Sequence, residues 1–421
     1  MLGLGVVGGG VYRILTERAD HVAARMDRPV RLVSILVRNP SKPRSVSVEP
    51  GLLTDDPRKV LDDPSIAVVI EALGGEYPAV DYLRRALEHG KCVITANKEV
   101  MAKHGPELLA LAAQNGVDIA FEASMGGGIP LIGPFRQDLA PNRILGIQAI
   151  LNGTTNYILT RMTEDGSSFA DALQEAQRLG YAEPDPTNDV DGIDAAYKLA
   201  ILSTLAFQAP VRPEDIYTEG IRHLAAKDLR YAQEMGYRLK LLCVARDGAE
   251  GVQARVHPAL LSRQHPLAQV DGVFNAVLVR GDLVGDVLFY GRGAGAEPTG
   301  SAMVADLIAL GQGLTNGGGP LSPVHLSEAR PLVPMDAVQS RYYLRMEVDD
   351  RPGAVAQIAR ILGNAGISIA SVMQKEVGSA AGSAEMVIMT HPAAEGVMRK
   401  AKRGMAALSV VREIGGFLRV E

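Results

Sequence analysis

The stretch Gly3-Leu4-Gly5-Val6-Val7-Gly8 carries glycines at the spacing G-x-G-x-x-G, and a helix-like segment follows it through about residue 24. In a strand–turn–helix unit, such glycines let the backbone approach a pyrophosphate at the N-terminus of the helix. The spacing alone is a weak signal in a chain that holds 45 glycines. Only Met1 and Leu2 precede the motif, so we expect a first strand that is truncated or that begins upstream of Met1.

Beyond this turn, short apolar segments alternate with amphipathic ones as far as about residue 130. We predict strands at 30–37, 67–72, 92–95 and 118–122 and helices at 81–89 and 105–114. This alternation predicts an α/β fold with a doubly wound, Rossmann-type parallel sheet and right-handed crossovers. We assign residues 1–130 to this domain, together with a return helix at about 296–315.

Two further domains are predicted from a change of pattern. Residues 131–330 combine predicted helices at 169–179 and 193–206 with strand-like runs between 237 and 290, which indicates an α+β domain for substrate binding and dimerisation. A proline-rich linker at 330–334 follows. Residues 340–421 show the order β-α-β-β-α-β, which is typical of a ferredoxin-like fold.

Composition limits the class of protein. The 421 residues are 47% hydrophobic and 22% charged, the net charge is −5, and the two cysteines, Cys92 and Cys243, lie far apart. No apolar run approaches the ~20 residues of a membrane span. We therefore expect a cytoplasmic protein with reduced thiols that binds neither nucleic acid nor membranes.

Basic residues stand where many dinucleotide-binding proteins place an acidic ribose ligand. Arg38 follows the predicted second strand, and Lys42 and Arg44 come shortly after it. A guanidinium group there suits a 2′-phosphate, which favours NADP(H), although NAD(H) is also possible. The alternative is a solvated basic turn.

Two lysines are candidates for chemistry. Lys98 follows a predicted strand at its carboxyl end, where open α/β sheets bind ligands, or it is simply the first solvated residue of a loop. Asp191, Asp194 and Lys198 are spaced to share one helical face. A surface ion pair between Asp194 and Lys198, contributing ~0.3–0.5 kcal/mol, is the alternative to proton transfer by a lysine in a cleft.

The segment EASMGGGIP at 122–130 follows another predicted strand. Its three glycines leave backbone carbonyl groups free to turn toward a hard cation, which prefers oxygen ligands. A glycine turn without an ion is the alternative. No His/Cys cluster has the spacing of a zinc site, so we do not expect a transition metal.

Several segments together resemble homoserine dehydrogenases, in that family's order and spacing over about the first 330 residues. They are GLGVVG at 3–8, TANKE at 95–99, EASMGGGIP at 122–130, LNGTTNYIL at 151–159, GYAEPDPTNDVDGIDAAYK at 180–198 and GRGAG at 291–295. The block at 180–198 is long and highly specific. The segment VDDRPGAVAQIARILGNAGISIASV at 348–372 resembles an ACT domain, an amino-acid-binding module.

The resemblance implies reversible reduction of L-aspartate 4-semialdehyde to L-homoserine, on the route to threonine, methionine and isoleucine. Lys198 would donate the proton, Lys98 would assist it, and Glu183 and Asp194 would hold the substrate ammonium group. Main-chain oxygens would hold a monovalent cation, usually sodium in this family, at Glu122, Met125, Gly127 and Ile129. With the motif residues above, the cofactor-binding set becomes Gly3, Gly5, Val6, Val7, Gly8, Arg38, Thr95, Lys98, Gly180 and Gly295.

The ACT-like segment implies feedback regulation by an end-product amino acid, with threonine the expected effector, near 349–353 and 364–367. We also expect at least a homodimer, or a homotetramer. Two other hypotheses stay open. One is a truncated, non-catalytic amino-acid-binding regulator, and the other is a reductase of a different amino-acid semialdehyde.

Overall fold

The computed structural model describes residues 1–315, 324, 326–327, 330–376 and 382–421. The chain divides into two compact units. Unit 1 comprises Met1–Ile147, Asp194–Ile216 and Phe274–Arg330, and unit 2 comprises Gln148–Ile193, Tyr217–Val273 and Pro331–Glu421. Each unit is therefore assembled from segments that are distant in sequence.

The strands in chain order are β1 (Ile35–Leu36), β2 (Leu53–Thr54), β3 (Val68–Glu71), β4 (Cys92–Thr95), β5 (Ile119–Ala120), β6 (Ile144–Ile150), β7 (Tyr217–Thr218), β8 (Tyr237–Gly248), β9 (Gly251–Ser262), β10 (Phe274–Gly281), β11 (Gly285–Arg292), β12 (Gln339–Asp349), β13 (Ile369–Glu376), β14 (Ser383–Thr390), β15 (Ala393–Ala394) and β16 (Val411–Val420).

The α-helices in chain order are α1 (Val6–Glu17), α2 (Ala19–Met26), α3 (Arg58–Leu61), α4 (Ala79–Glu88), α5 (Lys98–Gln114), α6 (Ile132–Arg136), α7 (Gly153–Glu164), α8 (Phe169–Arg178), α9 (Thr187–Val190), α10 (Ile193–Phe207), α11 (Ala226–Glu234), α12 (Ala296–Thr315), α13 (Ala354–Asn364) and α14 (Glu395–Ala406).

A parallel sheet forms the centre of unit 1. Strand β1 pairs with β2, and β3, β4 and β5 pair in that order, all in parallel. Leu2 joins the two sets, because it forms parallel bridges to Leu36 on one side and to Glu71 on the other. The resulting order, with the N-terminal segment in the middle, is the doubly wound arrangement that the alternating pattern predicts.

The N-terminal segment contributes only a bridge at Leu2 to the sheet, and the neighbouring strand β1 is short as well. Predicted strand 30–37 forms a ladder only at Ile35–Leu36. A cavity of about 380 Å³ lies beside Met1, and residues 30–34 and 65–68 line it. Residues 30–34 have no strand partner on that side, and extended backbone counts as a strand only where it pairs.

Close backbone contact holds α12 against α1. A Cβ at Gly10 would lie 2.4 Å from the carbonyl oxygen of Ala296, and one at Gly300 would lie 3.0 Å from the carbonyl carbon of Gly10. Only glycine permits this approach. The predicted return helix at 296–315 is therefore part of unit 1, and its Met303 and Leu307 join the apolar core beneath the sheet.

Unit 2 contains one continuous sheet in the order β8-β9-β16-β12-β14-β13. The C-terminal part has the predicted β-α-β-β-α-β order, formed by β12, α13, β13, β14, α14 and β16. Its outer strand β16 pairs in parallel with β9 at Arg419 and Val420. Backbone hydrogen bonds thus join the ferredoxin-like part to the strands that precede it within this unit.

Buried ion pairs add a second connection inside unit 2. The guanidinium of Arg345 on β12 donates to Asp228 of α11 at 2.6 Å and lies 3.2 Å from the carboxylate of Glu385 on β14. Tyr343 also donates to Asp228. All of these charged side chains are buried, so removing Arg345 would take away the cation that pairs with Asp228 in a medium of low polarity.

Several helices differ from the sequence expectations. Helix α5 begins at Lys98, seven residues before the predicted start, because Asn97 caps it by accepting from the amide of Val100 at 3.2 Å. Pro106 therefore lies inside the helix. Helices α7 and α11 were not predicted. Predicted strand 118–122 pairs only at Ile119–Ala120 and continues as a 3₁₀ turn.

Within the part of the chain that the structure describes, no helix combines the length and the apolar character needed to cross a bilayer. Cys92 and Cys243 are both buried free thiols. The predicted domain bounds of 1–130, 131–330 and 340–421 stay a prediction.

His257 of β9 provides a test of the packing in unit 2. It is fully buried, accepts from Arg255 at 3.1 Å and faces the carbonyl of Pro258 at 3.0 Å. Burial, reinforced by the charges of Arg419 and Arg255, lowers the pKa of this imidazole to about 3. The folded protein keeps it neutral at a pH where an unfolded chain protonates it.

Protonation of the unfolded state therefore costs stability as the pH falls from about 6.5 toward 3, whereas stability above pH 6.5 does not depend on this group. Between pH 7.5 and 5.0 we expect the wild type to lose roughly 2 kcal/mol more unfolding free energy than His257→Gln. Urea unfolding at both pH values measures the difference. His21→Gln, at an exposed histidine of α2, is the control, and equal losses in wild type and His257→Gln would contradict the assignment.

Candidate active site

The glycine turn leads from the central strand of unit 1 into α1. Gly3 has φ +91° and lies so close to Ala72 that a Cβ would approach the carbonyl oxygen of Ala72 to 2.6 Å. A Cβ at Gly8 would likewise lie only 2.5 Å from the carbonyl oxygen of Gly3. Gly5, the N-cap of α1, has open space around its α-carbon. The first and last glycines are thus required for packing, and the middle one leaves room at a helix N-terminus.

A cavity of about 440 Å³, here named the Gly5 cavity, opens beside this turn. The turn and three cationic residues contribute to its lining, which includes Gly3, Gly5, Val6, Arg38, Lys42 and Arg44. No acidic residue is among its described lining. Arg44 is held in place by donating to the carbonyl oxygens of Leu4 and Asn39. The predicted cofactor residues Gly3, Gly5, Val6 and Arg38 therefore meet, whereas Val7 packs against the core.

The carboxyl ends of β3 and β4 carry a buried polar pair. Thr95 donates to the carboxylate of Glu71 at 2.5 Å, and the amide of Leu73 donates to the same carboxylate at 2.7 Å. Burial raises the pKa of the Glu71 carboxyl above its usual value, and the hydrogen bond from Thr95 opposes that shift. The hydroxyl of Thr95 thus holds the strand ends together rather than lining the Gly5 cavity.

Lys98 and Lys198 meet at one carboxylate. Lys98 is the first residue of α5, and its ammonium group donates to Oδ1 of Asp194 on α10. Lys198, one turn further along α10, pairs with Oδ2 of Asp194 at 2.9 Å. Asp194 therefore bridges two lysines that are 100 residues apart in sequence, all within unit 1.

Burial distinguishes this group from the surface ion pair considered above. The side chain of Asp194 is 3% exposed and that of Lys198 is 9% exposed, whereas Lys98 is 45% exposed. An uncompensated carboxylate would be costly there, and the two ammonium groups compensate it as charged hydrogen-bond donors. The group therefore suits a ligand oxygen on which negative charge develops.

The prediction that Asp191 shares the helical face of Asp194 and Lys198 is wrong. Helix α10 begins at Ile193, and Gly192 separates it from Asp191 with φ +82°. The carboxylate of Asp191 instead pairs with Arg222 at 2.5 Å. The positive φ at Gly192 ends the preceding turn, and simple helical spacing does not extend across it.

Two of the predicted site residues, Gly180 and Glu183, lie in unit 2. Gly180 follows α8 with φ +77°, and its amide donates to the carbonyl of Gln177 at 3.0 Å, which ends that helix. Glu183 is exposed, and its carbonyl oxygen accepts from the side chain of Gln177 at 3.1 Å.

The glycine-rich loop at 122–130 has a carboxylate at its base. Glu122 accepts from the amides of Leu131, Ile132 and Gly133 at 2.5–2.9 Å, so its side chain caps α6. Its main-chain oxygen accepts from the amide of Met125 at 3.2 Å. Among the described residues, no group of three or more His, Cys, Asp or Glu side chains could hold a metal ion.

The same loop packs against the segment that carries Gly295. A Cβ at Gly127, which has φ +58°, would lie 2.6 Å from the backbone of Gly293, and the amide of Gly128 donates to the carbonyl of Arg292 at 3.1 Å. Gly295 has φ +129° and precedes α12. Met125 and Ile129, also predicted as cation ligands, are buried.

Models of three families match the chain: homoserine dehydrogenase at residues 130–308, the NAD binding domain of homoserine dehydrogenase at 3–122, and the ACT domain at 342–403. Homoserine dehydrogenases from Synechocystis sp. and Pseudomonas aeruginosa are each 43% identical to it, over 100% and 98% of this chain and 98% and 95% of the respective relatives.

The chain belongs to the homoserine dehydrogenase family. It is therefore an NAD(P)-dependent oxidoreductase, and it carries a C-terminal ACT domain. A crystal structure of a homoserine dehydrogenase from Thiobacillus denitrificans matches with a TM-score of 0.93 and 44% identity, covering 100% of this chain and 97% of that one. A hyperthermophilic archaeal homoserine dehydrogenase in complex with NADPH matches with a TM-score of 0.63 and 28% identity, covering 73% of this chain and 95% of that one.

The sequence analysis did not identify two side chains that contact the segments of the predicted site residues, Asn97 and Asp306. Asn97 caps α5 and so places Lys98, and a hydrophilic residue before a helix is a signal that could have shown it. Asp306 of α12 accepts from the amide of Glu122 at 3.0 Å. Burial, with the charge of Glu122, raises the pKa of Asp306 to about 8. No local pattern connects Asp306 with Glu122, because they are 184 residues apart.

The glycine turn yields a paired test. Gly5→Ala adds a methyl group in open space at an ordinary backbone angle, so we expect normal thermal stability. We also expect roughly tenfold weaker NADPH binding, because the glycine spacing predicts that a cofactor phosphate approaches in that space. Gly8→Ala forces α1 away from Gly3, so we expect lower stability as well. Fluorescence titration with NADPH and thermal unfolding measure both. Wild-type affinity in Gly5→Ala would contradict the placement of the phosphates.

Proposed function

We propose that the protein catalyses the NADPH-dependent, reversible reduction of L-aspartate 4-semialdehyde to L-homoserine in threonine, methionine and isoleucine biosynthesis. The observation that carries this proposal is the buried bridge from Lys98 through Asp194 to Lys198. Unit 1 holds this bridge together with the Gly5 cavity. A nucleotide-binding turn and a buried proton donor are the two parts that a carbonyl reductase of this class requires.

The residues of the Gly5 cavity fit NADP(H). The open position at Gly5 admits a pyrophosphate at the N-terminus of α1, where unpaired amides favour an anion. Arg38, Lys42 and Arg44 would face the 2′-phosphate, and the absence of an acid from the described lining removes the usual ligand of an unphosphorylated ribose. The preference is therefore for NADPH over NADH.

Lys198 serves as the proton donor in this proposal. When bound, NADPH supplies the hydride for the carbonyl carbon, and the carbonyl oxygen then needs a proton. The ammonium group of Lys198 gives that proton and takes one up in the reverse reaction. Asp194 holds Lys198 and Lys98 in fixed positions, and the more exposed Lys98 stabilises negative charge on the substrate or the cofactor.

The remaining sequence assignments also enter as proposals. Glu183 and Asp194 would bind the substrate ammonium group, and the contacts of Asp194 support a positioning role as well, because two lysines already share it. Thr95, Gly180 and Gly295 would border the cofactor. Their support is the match of each residue to a segment of the family pattern at 95–99, 180–198 and 291–295.

A monovalent cation, for which sodium is our choice, would bind main-chain oxygens of Glu122, Met125, Gly127 and Ile129. The chemistry of the loop supports an oxygen-ligand site, since its glycines leave carbonyl groups unshielded. The packing of this loop against the segment before α12 gives the ion a structural role, rather than a role in the reaction.

We further propose that the ACT domain binds threonine and lowers activity. The loop between β12 and α13 contains Gly353, which has φ +86° and begins α13 without a side-chain cap. The N-terminus of α13, with its aligned backbone amides, suits a carboxylate. The hydrogen-bonded connection of β16 to β9 would transmit the effect within unit 2.

A homodimer or homotetramer in the cytoplasm completes the proposal. Strand β11 is an edge strand, and Leu283, Val284, Leu288 and Tyr290 on it and its turn are 44–74% exposed. An apolar edge of this kind favours pairing with a second copy. Two free thiols are consistent with a reducing compartment.

The proton-transfer role is tested by Lys198→Arg. Arginine keeps the positive charge beside Asp194 but does not release a proton at neutral pH. We expect kcat to fall at least about 100-fold while the KM for NADPH changes little. Spectroscopic assay of NADPH oxidation with aspartate semialdehyde measures both.

Lys59→Arg, at an exposed lysine of α3, makes the same chemical change outside the site and should leave kcat unchanged. More than a tenth of the wild-type kcat in Lys198→Arg would reject the role. A folded wild type that oxidises no NADPH would instead support the amino-acid-binding regulator.

Cofactor choice is tested by Arg38→Ala. Loss of a charge-assisted contact to the 2′-phosphate should raise the KM for NADPH roughly tenfold and leave the KM for NADH nearly unchanged. Steady-state kinetics with each cofactor give the ratio. Arg13→Ala, on the exposed side of α1, is the matched control. Equal increases for both cofactors would show that Arg38 does not read the 2′-phosphate.

A further inference from the structure

Unit 2 contains a second charged cavity of about 550 Å³, here named the Lys402 cavity. One face of α14, the strand β16 and the segment that begins with β7 enclose it. Its lining comprises Arg399, Lys402, Arg403 and Ala406 of α14, Ile414, Phe417 and Arg419 of β16, and Tyr217 and Glu219. The four residues of α14 recur at the spacing i, i+3, i+4, i+7, so the helix presents one continuous face to the cavity.

Two of the cations are fixed by carboxylates. Arg419 donates to Glu395 at 2.9 Å and to Glu219 at 2.7 Å, and Arg399 donates to Glu395 at 2.9 Å. Both guanidinium groups also lie over the ring of Tyr217, at 5.1–5.2 Å from its centroid. The wall of the cavity is therefore ordered by ion pairs and stacking before any ligand arrives.

The other two cations have no such partner. Lys402 is half-buried with its ammonium group 4.7 Å from the ring centroid of Phe417, and Arg403 is exposed at the rim. No salt bridge or side-chain hydrogen bond joins either group to another described residue. Burial lowers the pKa of Lys402, and the charge of the nearby Glu219 opposes that shift. The carboxylates of Glu219, Glu395 and Asp336 pair with the two arginines, so Lys402 and Arg403 leave the cavity with an excess of positive charge.

We propose that the Lys402 cavity is a binding site for a small phosphate-bearing anion. The ordered guanidinium groups and the free ammonium group supply the charge-assisted donors that phosphate oxygens prefer. The volume lies in the range of small-molecule sites. The site is separate from the Gly5 cavity, which is in unit 1, and the proposed amino-acid effector loop at 349–353 does not line it.

A ligand there would contact α14 and β16 of the ACT domain and also the segment that begins with β7, which pairs with β9. The anion therefore binds across the junction of the ACT domain with the preceding strands of unit 2. Binding should stabilise this junction by mass action, in addition to any amino-acid effect.

Isothermal titration of the full-length protein with inorganic pyrophosphate tests the site. The titration is run with NADPH at saturation, so that pyrophosphate does not enter the Gly5 cavity, and at constant ionic strength. We expect one site per chain with a sub-millimolar dissociation constant. Lys402→Met keeps an apolar stem over Phe417 and removes the charge, and it should weaken binding roughly tenfold. Arg403→Ala should weaken it in the same direction.

Lys400→Ala is the matched control, because Lys400 is an exposed lysine of the same helix that does not line the cavity. It should bind pyrophosphate as the wild type does. Absence of binding in the wild type, or equal weakening in Lys400→Ala and Lys402→Met, would overturn the proposal. A parallel titration with citrate separates the anion classes, and citrate binding as tight as pyrophosphate binding would reject the assignment to phosphate.

Discussion

The dinucleotide-binding unit depends on backbone hydrogen bonds made by its first three residues. The amide of Leu2 donates to Ile70 at 2.7 Å, and its carbonyl accepts from Ala72 at 2.8 Å. On the other side, Met1 accepts from Leu36 at 2.8 Å, and the amide of Gly3 donates to Leu36 at 3.0 Å. These bonds join two sets of strands into one sheet. That sheet positions the glycine turn, the strand ends and Lys98 at the start of α5.

Buried charge organises the chemistry and the packing in both units. In unit 1, Lys98 and Lys198 compensate the buried carboxylate of Asp194, which thereby brings the two lysines together. In unit 2, Arg345 and Asp228 connect a strand of the ACT domain to α11 in the same way. The buried ion pairs of both units thus join residues that are far apart in sequence.

Much of the fold was predictable, because its signals are local. The strand at 92–95 and the helix at 296–315 have the predicted bounds, since each is an uninterrupted segment of one pattern. Helix α5 starts earlier than predicted because Asn97 caps it at Lys98, and the helix continues through Pro106. The segment 30–37 has strand composition, yet only two of its residues pair, because pairing depends on a neighbour that the segment itself does not specify.

Motif spacing and hydrophobic periodicity are properties of continuous segments, so they indicate the family, the parallel α/β class and the β-α-β-β-α-β order of the C-terminal part without a structure. The sequence also predicts Lys98, Asp194 and Lys198 as separate candidate site residues. Two features are visible only in the folded chain. One buried carboxylate joins both lysines, and Arg38 and Gly5 line the same cavity. The physical reason is that burial and electrostatic compensation are set by residues far apart in the chain, and no local pattern records which of them will meet.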